Sequence, residues 1–382
     1  MHRIIRIMFR VIFLALLMLS VAAGVGGNMI SASSPNIEIL QVEGNIVPVI
    51  ADYIDRGITH AEEQQAVACI IELNTPGGLL DSTEKIVRTI MNADIPVVVY
   101  VSPKGAWAAS AGTFITLSAH IAAMTPGTTI GAAHPVSAGG QEIPEDQLKK
   151  IVEFSAKWMR TIAQERGRNM EEAELAVTES KSFTDVDALE NNLIDLRAES
   201  LEELMSQING RKVILAGGRE VTIDTSGYGT SRNEMNPIER FLQTISDPNI
   251  AYILFTLATI GLITEISNPG MIFPGVVGGI SLFLAFYSLG VLDAYPGGIA
   301  LIVLGIGLLV AEYFTTSFGL LTAGGVTSLV IGSLILFSGS PGIEVNRGLI
   351  AGVTTAVVLF AVFVVSAIIR GQIRREATGA EG

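Results

Sequence analysis

Hydrophobic and polar positions divide the chain into three stretches. The first is an apolar run from Val11 to Ala23, preceded by Arg3, Arg6 and Arg10 and ending in the small residues VAAGVGG. Its charged start, apolar centre and small-residue exit predict either a cleaved signal peptide or a retained anchor helix. In the second stretch, between about 50 and 245, charged positions are frequent and apolar residues fall into short runs. In the third, from Ile250 to Ile369, charge is sparse. That third stretch holds five apolar segments, at about 250–267, 271–291, 297–314, 318–338 and 348–369, each close to the span of a bilayer. The breaks fall at SNPG, DAYPGG, TTSFG and SGSPG, where proline and glycine suit short membrane turns.

The middle stretch alternates between two periods. IEILQVEG and VPVI read as strands, and ADYIDRGITHAEEQQ as a helix. AVACIIEL and PVVVYVS are continuous apolar runs of strand length, as expected for strands covered on both faces. DSTEKIVRTIMNA is helical, with Ile86, Ile90 and Met91 on one face. GAWAASAGTFITLSA reads as a loop entering a helix, and HIAAMTP as a short strand. A long amphipathic helix follows over PEDQLKKIVEFSAKWMRTIAQERG, with Ile151, Phe154, Trp158 and Ile162 on one face. MEEAELAVTES and TDVDALENN are helical, LIDLRAE is a strand, and KVILAGGREVTIDTS is a hairpin turning at AGG. Strands alternating with helices predict an α/β domain of stacked units. The expected boundaries are a leader or anchor over 1–35, the α/β domain over 36–225, and a linker with an interfacial helix (IERFLQTI) over 226–249. A membrane domain of about five helices over 250–370 and a short tail over 371–382 complete the chain.

Composition narrows the function classes. The 382 residues carry a formal charge of −13, against the basic patch that a nucleic-acid binder needs. The single cysteine, Cys69, lies in an apolar run and reads as core. No histidine, cysteine and carboxylate group has metal-ligand spacing, so neither metal nor cofactor is expected. His60 and His120 read as surface and packing residues. Arg370, Arg374 and Arg375 follow the last apolar segment, and with the N-terminal arginines they place both ends inside and the α/β domain outside the cytoplasm. Glu265 and Glu312 fall at helix ends and read as interfacial carboxylates.

Candidate chemistry centres on Ser110. It follows a strand and loop and opens a helix, where the partial positive charge of the helix start favours a nucleophile. Ala109, Ala111 and Gly112 leave room for a peptide backbone. The amide of Ala111 has no acceptor inside its own helix. Gly77 and Gly78, after Pro76 at the end of a buried strand, expose backbone amides suited to an oxyanion. A serine at a helix start and a turn with two glycines are each common without function.

Together and in order, NTPGG, then ASAG, then PGTTIGAAHP, then a long helix ending AQERGRN resemble the Clp protease and signal-peptide-peptidase-A class of serine peptidases. The run EISNPGMIFPGVVGGISLFLAFYSLGVLDAYPGGIALIVLGIGLLVAEYF is similar to the membrane region of the long-form NfeD family, and the likeness covers about 36–340. The resemblance implies a Clp- or crotonase-like stacked β-β-α spiral. It also implies a membrane-bound serine endopeptidase with a Ser–Lys dyad. The family lysine falls on Lys150, about forty residues after Ser110, with Lys149 and Lys157 as neighbours that could take its place. A lysine acts as a base only where burial or a cationic neighbour disfavours its charged form, and Lys150 begins the apolar face of its helix. His134, in GAAHP, stands where Clp peptidases carry their histidine and is the alternative base, though no aspartate matches to orient it. Val101, Trp107 and Ala108 would line an apolar groove. The family further implies a stomatin- or flotillin-like membrane protein as substrate or partner, self-association, and no nucleic acid. Long NfeD proteins often add a small β-barrel after the membrane helices, whereas only GQIRREATGAEG follows here. The competing readings are a non-catalytic scaffold for stomatin-type assemblies, which would have little reason to keep Ser110, Lys150, Gly77 and Gly78 together, and a crotonase-like acyl-CoA enzyme, which an exported domain argues against.

Overall fold

Six parallel strands carry the α/β domain, in the order β11-β1-β2-β3-β5-β8. They are β1 (Ile37–Glu43), β2 (Ala68–Asn74), β3 (Val97–Val101), β5 (Ile121–Met124), β8 (Leu196–Arg197) and β11 (Thr230–Arg232). The computed structural model describes residues 36–136, 144–267, 273–291, 295–314, 320–336, 345–357 and 359. The expected N-terminal leader, most of the inter-helix turns and the arginines of the tail lie outside the described residues. Parallel neighbours need crossovers, supplied first by α1 (Pro48–Glu63), α2 (Leu80–Met91) and α3 (Ala111–Ser118). The run VVVYV shows why the strands read as continuously apolar. Val97, Val99 and Val101 enter one core with Leu40, Val42 and Ile71. Val98 and Tyr100 enter the other, with Ile37, Ile39 and Ile70. Cys69 is fully buried, and burial pushes its thiol well above the ordinary range.

Beside the main sheet stands a smaller one of β4 (Trp107–Ala109), β6 (Thr129–Gly131) and β7 (Ser182–Thr184), in the order β4-β6-β7. Helices α4 (Glu145–Glu165), α5 (Met170–Thr178), α6 (Asp185–Glu190) and α7 (Leu201–Ile208) cover the domain, and β9 (Lys212–Ile214) and β10 (Glu220–Thr222) form the expected hairpin. The sequence pattern leaves β4, β6 and β7 unassigned, because three-residue strands offer too few positions for a period to show, and it leaves α7, a helix of two turns, unassigned as well. VPVI is not a strand. Pro48 occupies the first helical turn, where its fixed φ and missing N–H suit a helix start, and the segment enters α1.

Residues 226–249, expected as a linker and an interfacial helix, contain a strand as well as the helix over IERFLQTI. β11 pairs with β1 as an added edge strand, Ile37 opposite Thr230, and Arg232 bonds Glu72 at 2.9 Å. The next helix, α8 (Pro237–Ile245), docks on α1. The buried Tyr53 hydroxyl donates to the Asn233 carbonyl at 2.7 Å and accepts from the Gln41 amide at 3.1 Å. Burial raises the Tyr53 pKa to about 12. Arg56 grips Glu239 with two bonds, of 2.7 and 2.8 Å, and donates to Asn233 Oδ1 at 2.8 Å. Glu239 also accepts from the Asn236 amide at 2.8 Å, which closes a capping box. Burial works against its charge, but the Arg56 and Asn236 hydrogen bonds prevail and hold its carboxyl below the usual range. Ile238 and Phe241 stay exposed on the outer face of α8.

The apolar third forms α9 (Pro248–Ser267), α10 (Phe273–Val291), α11 (Pro296–Phe314) and α12 (Leu320–Ile335), followed by a helix, α13 (Arg347–Val357). Among the described residues, α9 is the one helix long and apolar enough to cross a membrane. Glycines let backbones meet. A Cβ on Gly261 would stand 2.6 Å from the Pro274 carbonyl, and one on Gly305 2.7 Å from that of Gly325. Ser333 donates to the buried Tyr252 hydroxyl at 2.9 Å, tying α12 to α9. Glu265 is half-buried against Gly275, and the side chain of Glu312 lies outside the described residues.

Replacing Arg56 with alanine leaves the Glu239 carboxylate without its main partner and is expected to cost about 2 kcal/mol. Because the Glu239 pKa is depressed on folding, its contribution is present above the ordinary glutamate pKa and is lost as pH falls through the lowered value. Hydrogen exchange over 230–245 in the full detergent-solubilised chain measures this: the protection factor, taken against the intrinsic exchange rate at each pH, falls in Arg56→Ala and falls in the parent as the solution is acidified. Unchanged protection in the variant would show that the clamp holds nothing.

Candidate active site

Strand β2 ends in Asn74-Thr75-Pro76-Gly77-Gly78, which crosses the domain between two other backbone segments. On one side runs Ile46: its amide donates to the Gly77 carbonyl at 2.8 Å, and its carbonyl accepts from the Leu79 amide at 2.9 Å. On the other side runs β4: the Thr75 amide donates to Trp107 O at 2.8 Å, and the Ala109 amide to Thr75 O at 3.1 Å. The close approach requires glycine at both positions. A Cβ on Gly78 would lie 2.2 Å from the Ile46 carbonyl oxygen, and one on Gly77 2.8 Å from Ser110 Cβ. Gly77 also has a φ of +128°, which side chains disfavour.

Ser110 is the single residue between β4 and α3, with φ 50° and ψ −112°. A non-glycine residue in that region is strained and is held there by its surroundings. Its amide donates to the Gly131 carbonyl at 2.9 Å. Thr113, one turn into α3 and buried, donates to Ala108 O at 3.0 Å and accepts from the Gly131 amide at 3.0 Å. Thr75 does the same for the glycine turn, its Oγ1 accepting from the Gly77 amide at 3.0 Å. Neither threonine carries a signal in the sequence, where both read as small residues in apolar surroundings. With Gly77 engaged, the amides of Gly78 and Ala111 are left. Among the described residues neither has a hydrogen-bond partner, and the bridge to Ile46 leaves the Gly78 N–H on the far side of its strand. Ser110 and the three oxyanion candidates are therefore brought together.

The far end of α3 is fixed by the AQERGRN motif. Arg166 Nε donates to Ser118 O at 2.7 Å, and the buried Arg168 donates to Ala119 O at 3.1 Å and Asp195 at 2.9 Å. Both cations sit at the negative end of the helix dipole. Burial lowers the Arg166 pKa to about 10, and that of the neighbouring, buried His120 to about 3.

The candidate bases are placed differently. Lys150 is exposed in the second turn of α4, as is Lys149, contrary to the partial burial expected from Ile151. Only the later turns of α4 pack inward, through Ala156, Met159 and Ile162, with Trp158 stacked on Phe114 at 4.6 Å. No hydrogen bond joins Lys150 to Ser110. Lys157 faces α5, where its side chain bonds Glu174 at 3.0 Å. His134 bonds the Val177 carbonyl through Nδ1 at 2.9 Å, a backbone oxygen where a triad would have a carboxylate. His60, half-exposed, bonds the buried Glu38 at 3.0 Å. The groove lining also differs from expectation. Val101 and Ala108 are fully buried in the core, while Trp107 is exposed. Among the described residues no group of histidine, cysteine and carboxylate could hold a metal.

A family model described as the NfeD1b N-terminal domain matches residues 36–208, and one described as the NfeD integral membrane domain matches 249–367. The chain is 36% identical over 356 residues to a membrane-bound protease, PH1510, of Pyrococcus horikoshii, covering 90% of this chain and 80% of that one. The chain belongs to the NfeD family of membrane-bound proteases. The membrane protein NfeD1b of Bacillus subtilis is a further relative, 29% identical over 87% of this chain and 73% of its own. Among solved structures, the NfeD protease domain is similar to the 1510-N membrane-bound stomatin-specific protease in a lysine-to-alanine variant with a substrate peptide, at a TM-score of 0.52 and 37% identity, covering 56% of this chain and 99% of that one. A serine-to-alanine variant of the same protein matches at 0.50 and 37%, over 53% of this chain and all of that one. This NfeD chain is accordingly a serine peptidase with a parallel-sheet α/β domain followed by a membrane domain.

The glycine pair gives a direct test. Gly78→Ala places a methyl against the Ile46 backbone and shifts the amide beside Ser110. Loss of one oxyanion donor costs about 10²–10³ in kcat. Peptide hydrolysis by the full chain is expected to fall by at least 10²-fold, and activity within tenfold of the parent would remove Gly78 from the site.

Proposed function

We propose that Ser110 is the nucleophile and Lys150 the general base of an endopeptidase that cleaves an apolar segment of a stomatin-like membrane protein. The observation that carries this reading is the strained turn that presents Ser110 beside two unused amides. Ser110 Oγ attacks the peptide carbonyl, and the amides of Gly78 and Ala111 hold the oxyanion. Lys150 takes the hydroxyl proton and returns it to the leaving amine. Water then releases the acyl group with Lys150 as base again.

Three points support Lys150. The 1510-N protease was solved as a serine variant and as a lysine variant, the latter with its peptide, and the two replaced residues stand almost as far apart in that chain as Ser110 and Lys150 do here. Lys157 is held by Glu174. His134 lacks an orienting acid among its described contacts. The exposure of Lys150 then has a consequence for mechanism: the substrate supplies the desolvation. Leu80, Trp107 and Phe154 expose apolar surface on the segments that carry the glycine turn, the nucleophile and Lys150. An apolar peptide laid against them would exclude water from the lysine and favour its neutral, basic form. The same surface accounts for a preference for apolar sequences. The domain works on the extracytoplasmic side, as the arginine distribution favours.

Single substitutions in the full chain separate the roles. Ser110→Ala is expected to abolish hydrolysis of an apolar peptide and Lys150→Ala to lower kcat by at least 10³-fold, whereas Lys157→Ala stays within a few-fold of the parent. Cleavage by Ser110→Ala at the parent rate would overturn the nucleophile. A silent His134→Ala alongside an active Lys150→Ala would move the base to the histidine.

A further inference from the structure

Beside the glycine turn, at Pro76, lies a cleft of about 620 Å³. One wall is Pro76 with Glu43 and Asn45 of the β1–α1 loop, and the other is Gln243 of α8 with Asp247 and Asn249 at the first turn of α9. The walls are joined below: Gln243 Nε2 donates to the Glu43 carbonyl at 3.0 Å, and the Gly44 amide to the Asn74 carbonyl at 3.0 Å. Two smaller clefts, of about 410 and 390 Å³, open from the same place, and Glu43 lines all three. Their other charges are neutralised or engaged. Arg232 is paired with Glu72 at 2.9 Å and Arg240 with Glu234 at 3.0 Å, and the Asp247 carboxylate caps α9 through the Asn249 amide at 2.8 Å. The Glu43 side chain is exposed and has no hydrogen-bond or ion-pair partner among the described residues.

We propose that this cleft is a substrate subsite for a cationic side chain, with Glu43 as its counter-ion. The inference rests on Ser110 being the nucleophile. A polypeptide that leaves the bilayer beside α9 and reaches Ser110 passes the cleft, because its far wall is the start of that membrane helix and its near wall is the turn that carries the oxyanion donors. A lysine or arginine a few residues from an apolar scissile bond meets the unpartnered Glu43 carboxylate there, with the helix-capping Asp247 on the facing wall, in a polar recess large enough for an extended side chain. The substrate class is thus an apolar segment with a basic flank. The subsite sets the register of the segment over Ser110, and it disfavours chains with an acidic flank by like-charge repulsion.

The test uses the full chain in lipid vesicles and matched apolar peptides carrying lysine or glutamate at successive positions on either side of the scissile bond. The readout is the ratio of kcat/KM for the lysine peptide to that for the glutamate peptide. This ratio is internal to each variant and does not depend on how much of it folds. At one flanking position the parent is expected to favour lysine about fivefold, the scale of a partly exposed ion pair. Glu43→Gln brings the ratio near one, and Glu43→Lys inverts it. A parent ratio near one at every position, or a lysine preference that survives Glu43→Lys, overturns the subsite. Cleavage of both peptides by Ser110→Ala instead overturns the nucleophile on which the subsite depends, so the two failures are told apart.

Discussion

The whole site depends on one steric condition, the absence of side chains at Gly77 and Gly78. Three backbone segments lie in layers there, Ile46 on one side, the glycine turn in the middle and the β4–Ser110 turn on the other. Each layer is bonded to the next through main-chain groups, so the spacing between Ser110 and the amides of Gly78 and Ala111 is fixed by backbone contact. Flexible side chains do not set it. Thr75 and Thr113 add local bonds that fix which amides are used up and which stay available. The strained conformation of Ser110 is tolerable because Gly131, Thr113 and the anchored end of α3 all constrain it.

The same layering joins chemistry to membrane attachment. The loop that holds the glycine turn is held in turn by Gln243 of α8, and α8 is clamped to α1 through Arg56 and Glu239. Ser288 of α10 bonds the Ile245 carbonyl at the end of α8. A continuous run of hydrogen bonds and packed backbone therefore leads from the second membrane-domain helix to the glycine turn. The protease is not tethered at a distance from the helices but set against them.

The apolar runs over 68–74 and 97–101, the longer amphipathic helices and the membrane third were legible in the sequence because period and run length record burial directly. Ser110, Gly77, Gly78 and Ala111 were legible as candidates because small residues at a strand end and a helix start have few other uses in combination. What was not legible is long-range. Thr230–Arg232 has no apolar pattern, since an added edge strand in this place buries little, and only the pairing with Ile37–Ile39 reveals it. Arg56 and Glu239 are far apart in the chain and carry no local signal. The exposure of Lys150 was equally hidden: a helical stripe of apolar residues says which face packs, but not how far toward the N-terminus the packing extends.

β11 has a further consequence for how the protein is made. It comes last in the α/β domain yet lies next to β1, the first strand, and the chain enters the first membrane helix soon after it. Until Thr230–Arg232 arrives, β1 presents an open row of unpaired amides and carbonyls, the kind of edge that recruits strands from other chains. The domain thus covers this part of β1 only as α9 is being delivered to the bilayer. Synthesis and membrane insertion must be ordered so that the hydrolase completes its sheet at the membrane and not before it gets there.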